Sequence, residues 1–236
     1  MKKKLGLSVL AAIAATGFSI AARAGSVEGT VRVDGPCPHP DAVKVAKDAS
    51  ICGAEQASEA ALASADGGLR NVVVSLHAAK PPATPPPPGH ATIDQVGCRY
   101  KPHVQAVTVG SELTLVNSDR VLHNVHGSEG FVTVFNVAMP IKGQRLPTKL
   151  TRPGMVRLQC DAGHSWMNAW IYVAEEPGFA VTDAQGHFTI ANVPPGAYVI
   201  EYWHEPPDGK GPGVIKTARL VVTDKPVRAD ASLKLQ

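Results

Sequence analysis

The chain is short of aromatic residues, 5% of its length, and of net charge. Lysine and arginine number 23 against 20 aspartate and glutamate, a balance of +3. Nucleic-acid binding needs a concentrated basic footprint, and this balance does not supply one. After the first two dozen residues no apolar run is long enough to span a bilayer. No phosphate-cradling glycine loop, nucleophile–histidine–acid set or pair of carboxylates stands out, so hydrolytic chemistry has no visible residues. No repeat of solenoid period occurs.

What is present begins with "MKKKLGLSVLAAIAATGFSIAARAGS". A basic start, an apolar stretch and small residues at Ala22 and Ala24 predict a secretory leader over 1–24, cut after Ala24. The leader carries four basic residues and no acids, so the exported chain of 212 residues is near −1. The expected location is periplasmic or secreted, with no membrane span after cleavage. Four cysteines in an exported chain permit a disulfide. Spacing does not fix its partners. Cys52–Cys98 is the expected pairing, Cys37–Cys52 the local alternative.

The remainder reads as all-β. Segments 26–35, 69–78, 106–119, 154–160, 168–176, 186–193, 196–205 and 216–224 are short, rich in β-branched residues and bounded by Gly, Pro, Asn or Asp. Such spacing predicts sandwiches or barrels. The Ala-rich stretch 54–65 is expected to be at most a short helix or a loop. The proline run "KPPATPPPPGH" (80–90) lacks ladder donors and is expected to be a stiff connector.

Two separated stretches, "SVEGTVRVDG…LRNVVVSLHA" and "AVTDAQGHFTIANVPPGAYVIEYWHE", resemble the two parts of a carboxypeptidase-regulatory-like (transthyretin-like) β-sandwich. The split implies a discontinuous host domain, 25–91 plus 176–236, with a second domain, 92–175, inserted in it. A tandem arrangement is the alternative.

The chemistry concentrates in "LQCDAGHSWMNAW" (158–170), where Cys160, His164 and Met167 fall within eight positions. A thiolate, an imidazole and a thioether together suit copper better than magnesium, calcium or structural zinc. An electron-transfer copper site wants two imidazoles and a thiolate in a plane, with a weak axial ligand. The second imidazole must come from another strand. "VNSDRVLHNVHG" (116–127) offers His123 and His126, and only one of them would face a metal.

"NSDRVLHNVHG" followed by "CDAGHSWM" resembles the cupredoxins, the blue-copper family of plastocyanin, azurin and amicyanin. The resemblance covers about residues 95–175. It implies a Greek-key sandwich whose copper ligands are His123, Cys160, His164 and Met167, with Met139 as the alternative axial residue. It also implies that Asn124 ties the two ligand loops, and that His164 forms an exposed edge through which electrons pass. Trp166 and Trp170 are expected either in the core or in a docking patch. Three residues separate Cys160 from His164, against two or four in the familiar loops.

The expected function is single-electron transfer between redox protein partners rather than catalysis. A copper-binding or delivery protein, a small copper enzyme, and a structural β protein with Cys160 in a disulfide are the alternatives. A second metal site using Cys98 and His103, perhaps with His126, is conceivable. His204 and Glu205 are expected to form a hydrogen-bonded pair at a sheet edge. His39, His77, His90 and His187 are expected to be solvated. Oligomeric state is left open.

Overall fold

The computed structural model describes residues 24–80, 86–209 and 211–235. The predicted leader, apart from Ala24, lies outside these residues, as does the centre of the proline run. Among the described residues no helix is long and apolar enough to cross a membrane.

The chain is all-β and builds two sandwiches. In the first, one sheet joins His187–Val193, Gly25–Val33, Pro226–Arg228 and Ala231–Leu233. The facing sheet orders Phe179–Val181, Val73–Ala78, Gly196–His204 and Val214–Val222. Alternating side chains such as Val27, Val31, Val74, Leu76, Ile190 and Tyr202 fill the space between them. The turn "TDAQGHF", which carries the chain from one sheet to the other, closes because Asp183 Oδ1 accepts from the backbone N–H of Gln185 and His187. Its Gly186 has φ +77°, and a Cβ there would lie 2.4 Å from the Val31 carbonyl oxygen.

The second sandwich uses only intervening chain. One sheet orders Val132–Met139, His123–Glu129, Gly154–Gln159, Asn168–Ala174 and Val104–Thr108. The other orders Arg145–Lys149, Glu112–Asn117, His90–Gln95 and Tyr100–Lys101. Each contains a parallel pair, Asn168–Ala174 with Val104–Thr108 and His90–Gln95 with Glu112–Asn117. The stretch 106–119 breaks at Gly110, whose φ of +83° ends one strand before the next begins.

The Ala-rich stretch 54–65 forms no helix. The described helix is the four-residue turn Ala49–Cys52, and Glu55–Gln56 pairs with Val43–Lys44. Residues 43–60 thus form a strap that leaves the first sandwich and lies against the second. Cys52 and Val45 enter the second sandwich's core. Cys52 is bonded to Cys98. Arg99 donates to Gln56 Oε1 and the Ala57 carbonyl, and its guanidinium meets Glu59 at 2.9 Å.

A second joint holds the sandwiches together. Trp170 and Trp203 pack edge to face with centroids 5.1 Å apart, beside Val73 and Val104. Trp170 Nε1 donates to Glu205 Oε2 at 3.0 Å, and the other Glu205 oxygen holds His103 Nε2. His204 Nδ1 donates to the Glu205 backbone carbonyl at 2.7 Å, as expected of the pair, but both residues are buried and the Glu205 carboxylate serves the joint. Burial opposes the charged form of His103, yet the Glu205 hydrogen bond and charge carry its pKa above the ordinary value.

Candidate metal centre

His123 opens its strand opposite Met139. The loop before it is fixed by Asn117, whose Nδ2 donates to the Val121 and Met139 carbonyls at 3.0 and 2.7 Å. Cys160 follows the strand Gly154–Gln159, and the chain then turns back into Asn168–Ala174. Gly163, at φ +94°, makes that turn. The Met167 N–H closes it on the His164 carbonyl at 2.9 Å.

The two loops converge. Ligand atoms of His123, Cys160 and His164 lie within 4.8 Å of one another, and all three residues are buried. The two Nδ1 atoms are 3.2 Å apart, and Cys160 Sγ is 3.6 Å from His164 Nδ1. Each imidazole is held from behind. His123 Nε2 meets Asp119 Oδ2 and His164 Nε2 meets Asp48 Oδ2, both at 2.9 Å.

Those carboxylates decide the tautomers. An ionised carboxylate only accepts, so each Nε2 carries the proton. Both Nδ1 atoms then present lone pairs to each other across 3.2 Å, beside a buried sulfur. Such an arrangement is repulsive unless a proton or a cation sits among the three atoms. Burial pushes His123 below its ordinary pKa, against the pull of Asp119, which favours the neutral ring a metal needs. Asp119 is held below its ordinary value, because the N–H groups of Cys98 and Gly97 and the His123 ring together outweigh its burial. Two imidazoles and a thiolate are a donor set that fits copper.

Similar solved structures include copper proteins. A copper-containing nitrite reductase from Thermus scotoductus aligns at 25% identity, with a TM-score of 0.33 over 41% of this chain and 26% of that one. A purple cupredoxin from Nitrosopumilus maritimus aligns at 22% identity and TM-score 0.31, over 36% of this chain and 99% of that one. A reduced amicyanin mutant aligns at 21% identity and TM-score 0.33, over 42% and 99% respectively. The chain thus spans about a quarter of the nitrite reductase. No family model and no curated protein matches the sequence.

The remaining residues named from sequence fall as follows. Asn124 Oδ1 accepts from the Asp161 N–H at 3.1 Å, linking the His123 strand to the loop after Cys160. Met167 is buried in the same core as Cys160. Met139 is buried too, but its sulfur already accepts from Gln95 Nε2 at 3.0 Å. His126 points away from the three donors, toward Asp161 and Thr133. Cys160 is a free thiol, as is half-buried Cys37. Cys98, being disulfide-bonded, supplies no thiolate to a second metal site.

One expectation is overturned. His164 is not an exposed edge: its side chain is fully buried, because the strap reaches over it. Lys47 Nζ donates to the Ala162 carbonyl at 2.6 Å and Asp48 takes the outer nitrogen of the ring. Trp170 lies in a core, as the first of its two expected places, at the joint between the sandwiches. Trp166, half-buried, donates to the Cys98 carbonyl at 3.0 Å. The sequence reading also missed Asp48, Asp119 and Tyr100. Tyr100 donates to the Asn124 carbonyl. Burial, then the negative charge of Cys160 and Asp161, push its hydroxyl well above the ordinary pKa. Asp119 had a local signal, four residues before His123. Asp48 had none.

Proposed function

We propose that the second sandwich is a cupredoxin-type domain whose His123, Cys160, His164 and Met167 would hold one copper ion. The reading rests on one observation: two imidazoles, each held from behind by a carboxylate, bring their Nδ1 atoms within 3.2 Å of each other beside a buried thiol. Copper at these donors would supply a one-electron couple. The protein would act as an exported electron carrier between redox proteins, not as a catalyst. Residues 90–175 would be the copper domain, two residues longer at its start than the expected 92–175 because the strand His90–Gln95 lies in its sheet, inserted in a transthyretin-like sandwich of 25–89 and 176–236 that mediates contacts.

The side chains divide the work. Asp119 and Asp48 fix the orientation of both rings. Asn124 and Tyr100 tie the two ligand loops, which limits rearrangement between oxidation states. The strap keeps water from His164, and Cys160 must lose its proton on binding. Titration with Cu(II) is expected to give one equivalent per chain. His123→Ala, Cys160→Ser and His164→Ala should each lose tight binding, while His126→Ala retains it. Wild-type stoichiometry and affinity in Cys160→Ser would refute the assignment.

A further inference from the structure

The strap covers His164, so a redox partner must approach the centre elsewhere, and the two loops beside His123 offer a short route. His123 is buried, but the residue before it, Leu122, is 44% exposed, and Ile141, two residues beyond its strand partner Met139, is 65% exposed. Asn117 brings their loops together. Its side chain holds the Val121 and Met139 carbonyls, and its backbone pairs with Gly143 and Gln144. Pro140 adds to the apolar surface.

The rim of this face has one sign. Arg120, Lys142 and Arg145 are exposed, and none has a side-chain ion-pair partner among the described residues. The acid within the two loops, Asp119, is buried under the N–H groups of Gly97 and Cys98 and the His123 ring. The neighbouring Asp94 is half-buried and accepts from Ser118. An apolar centre within unpaired cations fits a partner with an apolar contact ringed by carboxylates.

We infer that the face formed by 118–122 and 140–145 docks an acidic electron-transfer protein, with His123 rather than His164 as the near ligand. The inference rests on the copper reading. In each encounter one electron passes, the reduced member losing it and the oxidised member gaining it, with no proton required.

Two measurements test this. The first needs no metal: hexacyanochromate(III), a redox-inert paramagnetic anion, is added to metal-free protein and amide broadening is mapped by NMR. Broadening should concentrate on 118–122 and 140–145 and disappear in Arg120→Glu/Lys142→Glu. Broadening centred on the strap, or spread over all lysines and arginines, would overturn the proposal. The second uses copper-loaded protein, reduced and then oxidised by hexacyanoferrate(III) or by tris(phenanthroline)cobalt(III). At low salt the double variant should slow the anionic oxidant roughly tenfold or more and speed the cationic one, with both effects fading at high salt. Lys44→Glu, on the strap, should change neither rate. Equal rates in wild type and double variant, or a larger effect from Lys44→Glu, would sink the inference. Failure of the wild type to bind copper would instead refute the underlying reading, because the NMR map stands independently.

Discussion

Asp48→Asn isolates the contribution of the strap to the metal centre. Asp48 sits at φ 57°, a left-handed conformation that Asn tolerates well, so the exchange removes charge with little backbone cost. Its Oδ2 lies 2.9 Å from His164 Nε2, on a side chain that is 30% exposed. Losing a carboxylate partner from a ligating histidine typically costs about 10–100-fold in metal affinity. Partial exposure screens the charge, so the lower end applies, about tenfold or ~1.4 kcal/mol. The lost charge favours the higher oxidation state. A tenfold loss confined to Cu(II) raises the reduction potential by about 59 mV. Asp48→Gly keeps the backbone conformation, deletes the whole contact and should go further, uncovering His164. Competition titrations for Cu(II) and Cu(I), with protein voltammetry, measure both quantities. Affinity within twofold of wild type and an unmoved potential in both variants would refute the role given to the strap.

Asp119→Ala should weaken copper binding and also destabilise the metal-free protein. It strands the buried N–H of Cys98 and frees the part-buried N–H of Gly97, at roughly 1–3 kcal/mol, readable by urea unfolding. The joint should be pH-dependent. The His103 pKa is raised in the fold, so its stabilisation is complete below the ordinary value of 6.5 and is lost as pH rises through the higher folded value. Glu205→Gln should flatten that slope in the melting temperature, and an unchanged slope would contradict the pairing. Replacing both Cys52 and Cys98 by Ala opens a bridge between residues 46 apart, which chain entropy values at up to about 4 kcal/mol. The same variant should loosen the strap, visible as faster amide exchange across 43–60.

Much of this architecture was legible because it is local. Strands such as Gly25–Val33 and Gly196–His204 alternate apolar and polar residues, and the turn at Asp183 states its own turn chemistry. The strands His123–Glu129 and Val132–Met139 were harder to read. "HNVHGSE" is polar and carries Gly127, whose missing side chain admits Phe135: a Cβ there would lie 2.5 Å from that ring. Proposed ligands on one chain segment could be read together from their spacing. The cover on His164 could not, because Asp48 arrives from 116 residues away on a strap with no regular pattern. Likewise Glu205 is adjacent to His204 in sequence, but its partners, His103 and Trp170, lie in the other sandwich.

The visible spectrum of the protein loaded with one equivalent of Cu(II) is the most direct test of the copper assignment. A thiolate among two imidazoles predicts an intense sulfur-to-copper charge-transfer band toward the red end, lost in Cys160→Ser. Fully loaded wild-type protein without that band would contradict the account.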